Sequence, residues 1–196
     1  LNNGLKQLSN LSNIRANVSS LSIETTPAIA YYTEANRLLL NVIGTITKLS
    51  TNAKVSQELV SYMNFLLSKE RSGIERAIGT NTFARNNFAA GMKSKFYTLI
   101  AEQNAYLDSF LKVSDSSVTK FYADNMKGES IDEVERMRKT ALYSDIDSNF
   151  GVEPQYWFTK ITEKINLLKK VEDFIANDLI VTIDNEMNDS QSKIGR

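Results

Sequence analysis

The sequence predicts an all-α protein, built as an up-down helical bundle of long antiparallel helices. Three observations predict it. Glycine (8) and proline (2) are scarce in 196 residues, and these are the residues that most strongly interrupt helices. Apolar residues recur at intervals of three and four along most of the chain, the period of one helix face. No link is rich enough in Gly, Ser or Pro to separate two domains. Successive amphipathic helices must therefore bury their stripes on one another. Residues 1–196 read as a single helical domain, or as two stacked sub-bundles sharing long helices.

Leu8, Leu11, Ile14, Val18 and Leu21 define a first helix over roughly 2–22. Ser22, Thr25 and Thr26 before Pro27 end it and open the next, since Pro is tolerated in a first helical turn. The second helix spans about 26–50, with stripe Ile29, Tyr32, Asn36, Leu39, Ile43 and Ile46. Ser50, Thr51 and Asn52 break it. The third spans about 53–78, with stripe Val55, Leu59, Tyr62, Leu66, Glu70, Gly73 and Ala77, and Gly79 as its left-handed C-terminal cap. A connector over 80–87 leads to a fourth helix, about 88–115, striped by Phe88, Met92, Phe96, Leu99, Gln103, Tyr106, Phe110 and Val113. A short helix over 117–127 ends at Gly128. Ser130 and Glu133 form a capping-box pattern opening a helix to Tyr143. After a polar loop from Asp145 to Val152, Pro154 starts the longest helix, about 154–188. Its seam is Trp157, Ile161, Ile165, Leu168, Ile175 and Leu179, spaced as in a coiled coil.

Composition excludes several functions. Lys+Arg and Asp+Glu are both 23, so the chain lacks the basic footprint of a nucleic-acid binder. Cysteine and histidine are absent, which removes disulfides, thiolate and imidazole metal sites and the commonest general base. No glycine-rich phosphate loop is present. No cofactor and no enzymatic activity are expected. No apolar run is long enough to span a bilayer.

Function is expected where the stripes carry polar residues. Glu70 and Gly73 occupy stripe positions of the third helix, with Arg71, Glu75 and Arg76 beside them. An inward carboxylate requires a cationic partner, and Arg15, Arg37, Arg71 and Arg76 are the available ones. Gly73 suits close approach of a backbone or ligand. Gln103 interrupts the most aromatic stripe, where it either binds a ligand or bridges helices. Arg15 lies between Leu11 and Val18. The structural alternative is that these arginines snorkel to solvent or form a Glu/Arg network. The functional alternative is a clamp for a small planar anion, because a guanidinium donates two parallel hydrogen bonds.

The run from Phe65 to Ala77, with Lys69-Glu70, Gly73 and Glu75-Arg76-Ala77, resembles the signature of the nitrate- and nitrite-sensing (NIT) family. Tyr31-Tyr32-Thr33, Phe83-Ala84, Phe88-Ala89, Glu102 to Tyr106, Tyr156 to Ile165 and Val171-Glu172-Asp173 extend the similarity over about 12–185. An earlier Glu-Arg-Gly motif usual in the family is not found in these residues. The resemblance implies a helical sensor in the periplasm, joined to membrane helices outside this chain. It is identified with the sensor region of chemotaxis-type receptors, which relay a helix shift across the membrane as homodimers. It implies a nitrate- or nitrite-like anion as ligand. Arg76 is its best candidate contact, with Arg71, Arg15, Gln103 and Gly73 around it and Glu70 and Glu75 in support. Another metabolite or a binding-protein partner is the alternative occupant.

Overall fold

The computed structural model describes residues 2–20, 22–145 and 149–194. Among them every regular element is an α-helix: α1 (Asn2–Ser9), α2 (Leu11–Ser19), α3 (Thr25–Leu49), α4 (Ala53–Arg85), α5 (Met92–Val113), α6 (Ser116–Asn125), α7 (Glu129–Tyr143) and α8 (Pro154–Ile194). The fold is the expected all-α bundle. Leu21 of the first predicted stripe and residues 146–148 of the predicted loop lie outside the described residues. The chain forms two compact units, Leu1–Leu59 and Val60–Arg196.

In the first unit the predicted opening helix is split. The Asn10 N–H donates to the Gln7 carbonyl at 3.3 Å, and Ser9 Oγ donates to the Lys6 carbonyl at 2.7 Å. These short-range bonds tighten the chain into a turn between α1 and α2. α1 packs on α3, and the Tyr31 hydroxyl donates to the Gln7 carbonyl. The predicted α3 stripe is only partly inward. Ala35 is buried, while Ile29, Leu39 and Ile46 are exposed.

The second unit is a bundle with two apolar layers. One contains Phe83 of α4, Phe96 of α5, Val134, Met137 and Ala141 of α7, and Trp157 and Ile161 of α8. The other contains Phe65 of α4, Phe110 of α5, Val118 of α6, and Leu168, Val171 and Ile175 of α8. Chain order through these layers makes α5 and α8 antiparallel to α4. The fourth position is shared end to end by α6 and α7, which meet near Gly128 at φ 110°. The α8 seam and the α5 stripe are buried largely as predicted. The capping box at Ser130 does not form, because Glu133 is taken by Arg136 and the Tyr156 hydroxyl. α5 begins at Met92 rather than 88, since Asn86 and Gly91 take positive φ (55° and 73°) and turn the chain.

The inward face of α4 differs from the predicted stripe. Its buried positions in this unit are Ser61, Phe65, Ser68, Ser72, Glu75, Gly79, Thr82 and Phe83. Hydrophobicity alone passes over the serines, yet their small volume admits neighbouring helices and their hydroxyls find partners. Gly79 is no cap: α4 continues through it to Arg85. A Cβ there would fall inside the Trp157 indole, whereas a Cβ on Gly73 meets nothing within 4 Å. The close-approach glycine is therefore Gly79, and Gly73 is an ordinary helix-interior glycine. Gly79→Ala is expected to cost about 1–3 kcal/mol through overpacking. Gly73→Ala is expected to add up to about 1 kcal/mol of stability, because Ala is the better helix former. Urea unfolding of the two variants checks this opposition of sign; equal signs would refute it.

Candidate functional site

A polar layer separates the two apolar layers. Ser68, Ser72 and Glu75 enter it from α4, Gln103 from α5 and Arg138 from α7, all buried. Glu75 is fully buried and meets Arg138 in a bidentate pair: Nε donates to Oε1 at 2.6 Å and Nη2 to Oε2 at 2.7 Å. Gln103 Nε2 donates to Glu75 Oε2 at 2.8 Å. Gln103 Oε1 accepts from Ser72 Oγ at 2.6 Å and from Arg138 Nη2 at 3.0 Å. Ser68 Oγ donates to the Gln103 main-chain carbonyl at 3.2 Å. Each buried polar group thus has a partner, which a buried ion pair requires in order to persist. Burial alone would lower the Arg138 pKa; the Glu75 charge and hydrogen bonds outweigh it and hold the guanidinium above its ordinary value.

Lys164 lies between Ile161 and Leu168 on α8, at the same level as this layer. Burial, and next the Arg138 charge, push its ammonium down to about 8, against the pull of Glu75 and Glu135. The sign of its effect on stability follows. Between about pH 8 and the ordinary value of 10.5, the unfolded chain keeps a proton that the folded chain has released. Stability carried by this group therefore rises with pH through that window. Urea midpoints measured from pH 8 to 10.5 should climb more steeply, or fall less, in wild type than in Lys164→Met. Parallel slopes would exclude a strained ammonium at this position.

Arg76 is one residue further along α4 and points elsewhere. Its side chain is half-buried against α8. Nη1 donates to Thr162 Oγ1 at 3.0 Å, and the guanidinium carbon lies 5.1 Å from the centre of the Phe158 ring. Among the described residues no carboxylate lies within ion-pairing distance of it, and burial lowers its pKa. Its carbonyl accepts from Trp157 Nε1 at 3.1 Å, an approach that the missing side chain of Gly79 allows. α4 and α8 are thus tied at Arg76 through both its backbone and its side chain.

Arg71 is in a different state. Nη1 pairs with Glu70, and Nε donates to Glu102 Oε2 at 2.6 Å. Its charge is already met on two edges.

A family model described as nitrate and nitrite sensing matches residues 1–180. The chain belongs to the nitrate- and nitrite-sensing family. This domain is similar to the nitrate regulatory protein of Klebsiella oxytoca, at 25% identity over 177 residues, covering 90% of this chain and 44% of that protein. It is also similar to the solved structure of the NasR transcription antiterminator, with TM-score 0.82 and 24% identity, covering 93% of this chain and 49% of that one; at this identity the likeness establishes the shared fold. The chain therefore spans about half the length of these relatives. Both are regulators by name. Neither is a chemotaxis receptor by name. No helix among the described residues is long and apolar enough to cross a membrane. The expected periplasmic receptor setting thus draws no support from these findings.

The candidates predicted for this nitrate- and nitrite-sensing domain do not form one cluster. Glu75 and Gln103 meet in the polar layer, Glu70 and Arg71 pair with each other, and Arg76 faces α8. A side chain on Gly73 would meet open space, and Arg15 is exposed on α2 in the first unit. Among the residues missed, besides Ser68, Ser72 and Thr162, are the cations Arg138 and Lys164. The signal for both was in the sequence: Arg138 lies between Val134 and Ala141, and Lys164 between Ile161 and Leu168, at spacings of three and four.

Proposed function

We propose that this chain is the nitrate- or nitrite-sensing part of a regulatory protein, and that Arg76 is the residue that receives the anion. What carries the reading is the state of its guanidinium: half-buried, with no carboxylate within ion-pairing distance among the described residues, and hydrogen-bonded to the Thr162 hydroxyl beside the Phe158 ring. Such a group keeps donors for a planar oxyanion, which a guanidinium matches bidentately. Thr162 would be retained as a second donor or released. Either change alters the α4–α8 contact, and a small sliding of packed helices is a known way to transmit binding. α8 continues past the bundle contact to Ile194, so it is the element we assign to carry the shift onward. The ligand biases the relay only if it binds one arrangement better than the other.

The names of the relatives favour a regulator of the antiterminator kind over a chemotaxis receptor as the setting. Nucleic acid is left out of this chain's own partners on the charge balance already given, and a homodimer remains part of the proposal. Calorimetric titration with nitrate, nitrite and chloride tests the ligand. Saturable heats for nitrate or nitrite and none for chloride support the reading. Identical responses to all three would overturn it.

A further inference from the structure

On the outer side of the polar layer a groove of about 180 Å³ opens between α5 and α7. Its α5 wall is Tyr97, Ile100, Ala101 and Asn104, and its α7 wall runs from Glu135 through Arg138 and Lys139 to Leu142. Both sets follow helical spacing, so two whole helix faces meet there. Within the α7 wall Arg138 is only 7% exposed. Two of its nitrogens, Nε and Nη2, are committed inward to Glu75. The third, Nη1, faces Glu135 at 3.5 Å, beyond a good charge-assisted bond. Glu135 is about half exposed and also lies 3.8 Å from Lys139. A buried cation is therefore presented to a solvent-open groove with one weakly occupied edge.

We propose that this groove is a second ligand site, taking a small organic monocarboxylate whose carboxyl group displaces Glu135 from Arg138 Nη1. Asn104 offers an amide to the other carboxylate oxygen, and Lys139 adds charge at the rim. Ile100, Ala101 and Leu142 supply apolar walls, and the largely exposed rings of Tyr97 and Tyr143 flank the mouth. Those walls select an acid with a compact apolar or aromatic body, because a bare inorganic anion would leave them uncovered. One available guanidinium edge selects one carboxylate rather than two. The site is separate from the face that Arg76 presents to α8, so it stands whether or not nitrate binds there.

Benzoate is the probe, titrated calorimetrically into the whole chain, with nitrate titrated in parallel. Wild type should bind benzoate saturably. Ala101→Trp fills the groove from an exposed position and should weaken benzoate by about tenfold or more while leaving nitrate heats unchanged. Glu135→Gln removes the competing carboxylate and should tighten benzoate about two- to fivefold, the size of a surface ion pair. Absence of benzoate heat up to about 10 mM would overturn the proposal. So would unchanged benzoate affinity in Ala101→Trp, or competition between benzoate and nitrate, which would make the groove an inorganic-anion site.

Discussion

Replacing Arg138 with methionine is expected to destabilise the fold by about 3–5 kcal/mol, the cost of leaving one member of a buried ion pair without its partner. Glu75 is fully buried and, among the described residues, would keep one hydrogen bond, from the Gln103 amide at 2.8 Å, with the Lys164 ammonium nearby. Domains of this kind are stable by only about 5–15 kcal/mol, so the variant should lose a large part of its stability. The deficit belongs to the stranded carboxylate and not to the lost guanidinium. Adding Glu75→Leu to Arg138→Met should therefore recover most of it, since an apolar replacement of a whole buried pair is often neutral or better. Urea unfolding of the two single variants and the double variant closes the cycle. Additive losses would show that Glu75 and Arg138 act independently, against the bidentate geometry described above. The same result would bear on the groove, which Arg138 helps to line.

Arg76→Ala is expected to weaken nitrate binding by about 10- to 100-fold, as loss of charge-assisted hydrogen bonds to an anion does. The fold itself should lose only about 0.5–1.5 kcal/mol, for one bond to Thr162. Arg76→Lys keeps the charge without the planar fork and should fall between the two. Arg71→Ala is the informative contrast. Arg71 is tied to Glu70 and Glu102, so its removal should leave nitrate affinity nearly unchanged despite its position in the same motif. Nitrate isotherms of the four proteins, with unfolding curves for each, separate binding from stability. An Arg76→Ala isotherm that overlays wild type removes Arg76 from the site.

Taken by itself, the sequence determined the helices and their order. Scarce Gly and Pro and three-four periodicity act locally, and they placed α3 and α7 close to their observed limits, while α5 starts at Met92 rather than 88 and α8 runs to Ile194 rather than 188. The sequence also marked the polar interruption at Gln103, because an amide in an apolar stripe is visible without coordinates; Glu75 it placed only beside the stripe of its helix. What it left open was which turn of each helix faces inward. On α4 the stripe of highest hydrophobicity ran through Glu70 and Gly73. The packed face runs instead through Ser68, Ser72, Glu75 and Gly79, since small and polar side chains are buried when another helix supplies their partners. Those partners lie far along the chain: Gln103 on α5, Arg138 on α7 and Trp157 on α8. Only the tertiary structure decided that Glu75 is neutralised by Arg138, that Gly79 admits an indole, and that Arg76 meets no carboxylate among the described residues. Each is a contact between separate helices, set by how their faces are rotated toward one another, and nothing local to a helix fixes that rotation.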